Sequence, residues 1–109
     1  MNAFIITAGL GVLICILAII NMTGNISTLH SYHRKRVTEE DKKPFGKLVG
    51  LGTLIIGIAM IIFSILLFIF EKTQIDALIF IGNTVLFTGI IVGTIISFYA
   101  MKKYNGGIF

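Results

Sequence analysis

The stretch LVGLGTLIIGIAMIIFSILLFIF, Leu48 to Phe70, is followed after EKTQID, Glu71 to Asp76, by ALIFIGNTVLFTGIIVGTIISFYAM, Ala77 to Met101. Neither apolar run contains Asp, Glu, Lys, Arg or His. At about 1.5 Å per helical residue they reach roughly 35 and 37 Å, against a hydrocarbon core of about 30 Å, so each crosses a bilayer with some tilt. The connection between them is short enough to force antiparallel neighbours, and the pair is predicted to be a helical hairpin.

Toward the N-terminus, AFIITAGLGVLICILAIINM, Ala3 to Met22, makes a third run of roughly 30 Å. With 56% apolar residues in 109, three helices of this length cannot bury their apolar surface on every side in water, so lipid must solvate them. The runs lack a two-residue rhythm, which excludes the alternating strands of a membrane barrel. The predicted fold is an all-α membrane protein, a single integral membrane domain over residues 1–109. Its spans are about 3–22, 48–70 and 77–101, with a polar connection at about 23–47 and an outer turn at 71–76. The first span lacks the basic n-region and cleavage site of a signal peptide and is read as retained.

Basic residues set the orientation. The first connection holds Arg34, Lys35, Arg36, Lys42, Lys43 and Lys47, and the tail adds Lys102 and Lys103, while the outer turn has only Lys72. Three spans put the first connection and the tail on one face, and the positive-inside rule makes that face cytoplasmic, with the N-terminus outside. The same residues account for the net charge of +4 without nucleic acid. Arg34, Lys35, Arg36, Lys42, Lys43 and Lys47 are candidates for contact with anionic headgroups. Ile26, Leu29, His30, His33 and Val37 fall at helical spacing and suggest a short interfacial helix. Thr38 to Asp41 resembles a helix N-cap with acidic first-turn residues, and a bend is expected at Pro44.

Small residues recur at helix-face spacing in every span: Gly82, Gly89, Gly93 and Ser97 in the third, Gly46, Gly50, Thr53, Gly57 and Ser64 in the second, Ala8, Gly11, Cys15 and Ala18 in the first. Such stripes let backbones approach closely. Packing of the three spans on one another explains them; a homo-oligomer or a partner protein's helix in a remaining groove is the alternative. Asn83, with Thr84, Thr88 and Thr94, is expected to serve as interhelical hydrogen-bond glue. The spans carry no charged relay of the kind proton-coupled transporters need. His30 and His33 lack a third partner at metal-ligand spacing, so neither metal nor cofactor is expected. The sequons at Asn21 and Asn25 fall on the cytoplasmic side and are read as chance.

The segment from Leu29 to Gly52, LHSYHRKRVTEEDKKPFGKLVGLG, flanked by one span before and a hairpin after, resembles a family of small membrane proteins of Gram-positive bacteria defined only as a domain of unknown function. It also resembles SdpI-type immunity proteins, which carry a basic cytoplasmic connection leading into a Gly-containing span. The resemblance implies a bacterial cell (inner) membrane and no catalytic residue. The expected role is that of an accessory, regulatory or immunity-type subunit acting through helix contacts at the Gly89, Gly93, Ser97 face and the Arg34 to Lys47 loop, and not an enzyme. A holin-like pore is the alternative. Reporter fusions at Phe109 and within residues 37–41 are expected to report cytoplasm and fusions near Thr73 the exterior; high alkaline phosphatase activity from Phe109 overturns that orientation.

Overall fold

The computed structural model describes residues 2–24 and 37–106. These form three helices, α1 (Asn2–Met22), α2 (Lys42–Thr73) and α3 (Asp76–Tyr104), with no strand among the described residues. Each is long and apolar enough to cross a membrane, and the chain is a multi-pass, all-helical membrane protein. α2 is the hub. α1 and α3 each pack along it and hardly touch one another.

α2 starts six residues before the expected span start at Leu48, which puts Lys42, Lys43 and Lys47 on its first turns. At about 1.5 Å per residue its 32 residues reach roughly 48 Å, so it outreaches the hydrocarbon and carries those cations past the end of the apolar run. Pro44, where a bend is expected, lies within the unbroken first turn of α2. Pro44 is the third residue of the helix, in the turn whose N–H groups have no intrahelical acceptor, so its missing donor costs nothing. The first intrahelical bond runs from the Phe45 N–H to the Asp41 carbonyl at 2.8 Å. Thr38 is not the cap: the Asp41 N–H donates to the Thr38 carbonyl at 3.0 Å in a turn, and Asp41 precedes the helix without a side-chain capping bond. Of the expected interfacial helix only Val37 lies within the described residues.

The hairpin turn is tighter than the predicted 71–76 connection, because α2 runs on through Thr73 and leaves only Gln74 and Ile75 between helices. Gln74 takes the left-handed conformation at φ 58°. Its N–H donates to the Phe70 carbonyl at 2.7 Å, and its Nε2 reaches the Glu71 carbonyl at 3.2 Å. The Thr73 hydroxyl donates to the Ile69 carbonyl at 2.9 Å. The Phe70 and Glu71 carbonyls, among the last four that accept nothing inside the helix, thereby find donors, and the Thr73 hydroxyl adds a second donor to a carbonyl one turn back. α3 then opens with Asp76 in its first turn and closes with Lys102 and Lys103 in its last, both signs matched to the helix dipole.

At this hairpin end the rings of Phe4 of α1 and Phe68 of α2 meet at a tilt of 46°, centroids 5.0 Å apart. The opposite, basic end holds the densest apolar cluster: Val37, Phe45, Val49, Ala100 and Met101, flanked by Leu48 and Tyr104. The Phe45 and Tyr104 rings meet edge to face at 6.3 Å. Asn21 and Asn105 are buried there, each with a polar partner. Gly24, at φ +99°, ends α1 against Lys43 at the start of α2. The left-handed turn residue yields a test. Gln74→Val puts a β-branched side chain at positive φ and removes the side-chain cap, and is expected to lower stability in mild detergent by about 1–2 kcal/mol. Gln74→Gly should melt within a degree or two of wild type, by roughly the strain relieved against the cap lost.

Candidate functional site

The small residues form two seams, one on each side of α2. On the first, a Cβ added to Gly57 would lie 2.7 Å from Cys15 Sγ and 3.1 Å from the Gly11 carbonyl oxygen. A Cβ on Gly11 would meet the Gly57 carbonyl at 3.1 Å, so the two glycines face each other. One on Gly50 would lie 2.6 Å from the Ala18 carbonyl and collide with Met22. Cys15 is a free, half-buried thiol whose small size is what the seam uses.

On the second seam, Gly52 faces Gly93. A Cβ on either would strike the other's carbonyl oxygen, at 2.5 Å for Gly52, and Ser97 Oγ would stand 2.7 Å away from that same Cβ. Gly89 packs on Ala59, and a Cβ on Gly82 would lie 3.1 Å from the Phe63 ring. The face of α3 formed by Gly82, Gly89, Gly93 and Ser97 is therefore occupied by α2, so the stripe serves packing of the spans on one another, and the alternative of a free groove for another helix at Gly89, Gly93 and Ser97 is filled by the chain's own hub. Gly46 is buried at the basic end of α2.

Gly52 and Ala59 did not stand out in the stripe that runs through Gly50 and Gly57. The signal was present as a second pair of small residues seven apart, displaced by two positions. Two residues turn a helix by about 200°, so the pairs look out on nearly opposite sides, as a hub requires.

The polar residues of the spans behave differently from one another. Ser64 is buried and its hydroxyl donates to the Ile61 carbonyl at 2.7 Å; Thr84 donates to the Phe80 carbonyl at 2.9 Å. Both satisfy themselves within their own helix, as membrane hydroxyls commonly do. Asn83 is not glue inside the bundle. It is exposed, about 10 Å along α3 from Asp76, beside the exposed Phe80 and Phe87. The glycine face that packs on α2 lies about a quarter-turn away, and Asn83 is left on the outward side of α3. Asn21, the first residue of a sequon, is buried and has a partner.

Of the candidate headgroup contacts, Lys42 pairs with Glu39 at 2.6 Å, and Lys43 and Lys47 are exposed. Arg34, Lys35 and Arg36, with His30 and His33, lie outside the described residues. Two grooves open on α2. One of about 390 Å³ is walled by Ile55, Ile58, Ile62 and Thr88 over a floor of Ala59 and Gly89. The other, of about 480 Å³, lies at the basic end among Met22, Pro44, Lys47, Leu48, Leu51 and Tyr104.

Comparison with protein-family models, curated proteins and solved structures found no match.

The seams predict opposite outcomes for glycines that look alike in sequence. Gly93→Ile drives a branched side chain into the Gly52 carbonyl and Ile56 and is expected to cost about 1–3 kcal/mol or to split the hairpin. Gly9→Ala, with nothing within 4 Å of the new methyl, should be neutral or raise the melting temperature. Ile91→Leu, at a residue 58% exposed, serves as the silent control in the same thermal series.

Proposed function

We propose that this chain is an accessory, regulatory or immunity-type subunit of a bacterial cell membrane, seated with its N-terminus outside and its basic end in the cytoplasm, and that it acts by lateral helix contact. The observation carrying this reading is the exposed amide of Asn83 within an apolar span. A carboxamide has two donors and two acceptor sites that lipid cannot satisfy, and hydrogen bonding to another transmembrane helix is the available remedy. Phe80, Asn83, Phe87, Ile90 and Thr94 follow the alternating three and four spacing of a helix-packing seam, and the first four are exposed. The glycine faces are used up on α2, so α3 offers a partner this outward stripe, the one that carries the amide. The eight-to-one segregation of basic residues supports the orientation.

Asn83→Leu is expected to insert and melt like wild type while losing its partner in membrane photo-cross-linking from position 87, by about three- to fifteen-fold if one or two hydrogen bonds are removed. Unchanged cross-linking sinks the lateral-contact reading. Abrupt collapse of membrane potential on induction, at levels where a control three-span protein is harmless, would instead establish a holin-like pore.

A further inference from the structure

The two grooves share one strip of α2. Pro44, Lys47, Leu48 and Leu51 line the groove at the basic end, and Ile55, Ile58 and Ile62 line the one beyond it. These positions recur at three and four residues and so lie along a single helix face. α1 and α3 grip α2 on nearly opposite sides; the strip lines one groove beside Met22 of α1 and Tyr104 of α3 and walls the next against Thr84 and Thr88 of α3, so the two follow one another as a trough along α2. From Leu48 to Ile62 it runs about 21 Å, longer than one leaflet's share, about 15 Å, of the hydrocarbon core.

The mouth of the trough differs from its length. Lys47 is exposed at the last turn before the apolar run, at headgroup depth, and Tyr104 stands across from it. The Lys103 ammonium lies 5.3 Å over the Tyr104 ring, which brings a second cation to the same end. No carboxylate lines either groove among the described residues. A cationic, phenol-bearing mouth over an apolar trough complements an amphiphile with a negative head.

We propose that the trough is a binding site for one anionic phospholipid, its phosphate at Lys47 and Tyr104 and an acyl chain laid along Leu51, Ile55, Ile58 and Ile62. Charge complementarity at the mouth selects the head, and the length of the trough accepts the chain. A lipid held there packs against the flank of α2 that neither neighbouring helix covers, filling space that a bulkier interhelical contact would otherwise have to close. This site is on the opposite flank of α3 from Asn83, so it stands apart from the partner surface.

The test uses the full chain in mild detergent, with native mass spectrometry to count retained lipid after titration with phosphatidylglycerol or phosphatidylcholine of the same acyl composition. Wild type should retain one phosphatidylglycerol in preference to phosphatidylcholine. Lys47→Gln should weaken phosphatidylglycerol about fivefold, the weight of one basic side chain near an anionic surface, and leave phosphatidylcholine unchanged. Ile58→Trp, which fills the trough from a residue 44% exposed, should lower retention of both lipids. Lys42→Gln, on a cation already paired with Glu39, should change neither. Equal retention of the two lipids, or a Lys47→Gln titration that matches wild type, overturns the proposal. So does a lipid-free dimer that Ile58→Trp dissociates, which would assign the trough to a second copy of the chain.

Discussion

Backbone laid against backbone at Gly52 and Gly93, with its counterpart at Gly11 and Gly57, is the contact on which the rest of the bundle depends. Inside a bilayer the hydrophobic effect does not draw helices together, because the lipid tails displaced are as apolar as the side chains that replace them. What remains is dispersion and weak Cα–H to carbonyl bonding, and dispersion falls off within fractions of an ångström. Glycine is the residue that removes the obstacle. The same substitution that would be mild on a lipid-facing surface therefore separates two helices along their whole length when it falls in a seam.

Placing both seams on one helix shapes everything outside them. α2 meets α1 and α3 on nearly opposite sides, so the outer helices hardly touch and the flanks of the hub stay open. At the basic end one opening is closed by Val37 and the cluster around Phe45 and Met101, and the buried amides of Asn21 and Asn105 find partners there. Farther along, the openings persist as apolar grooves. The hydroxyls of Ser64 and Thr84 turn back on their own helices, while the amide of Asn83 is an exposed polar group demanding a partner from outside.

Helix ends show how local chemistry adjusts what hydropathy alone places only roughly. The apolar run from Leu48 underestimates α2 because a membrane helix need not stop where lipid stops, and Pro44 is harmless in a first turn that has no carbonyl to bond. At the other end Gln74 caps α2 with its backbone N–H and its side chain, which lets the helix continue through a stretch whose polarity reads as turn. The six connecting positions 71–76 become a two-residue link.

The number of spans, their helical character, the hairpin and the segregation of basic residues were all determined by the sequence itself. Each follows from composition over a long window, where the cost of exposing backbone or charge to hydrocarbon leaves one arrangement. The small-residue stripes at Gly11, Gly50, Gly57, Gly82, Gly89 and Gly93 were legible as contact surfaces, but not their partners. α2 carries small residues on several faces, and every one of them is compatible with close approach. Only the tertiary structure decided that Gly93 meets Gly52, that Gly57 meets Gly11, and that Asn83 is left facing outward. The reason is that helix pairing in lipid is governed by the fit of two surfaces at contact distance, and that fit belongs to neither helix's sequence taken alone.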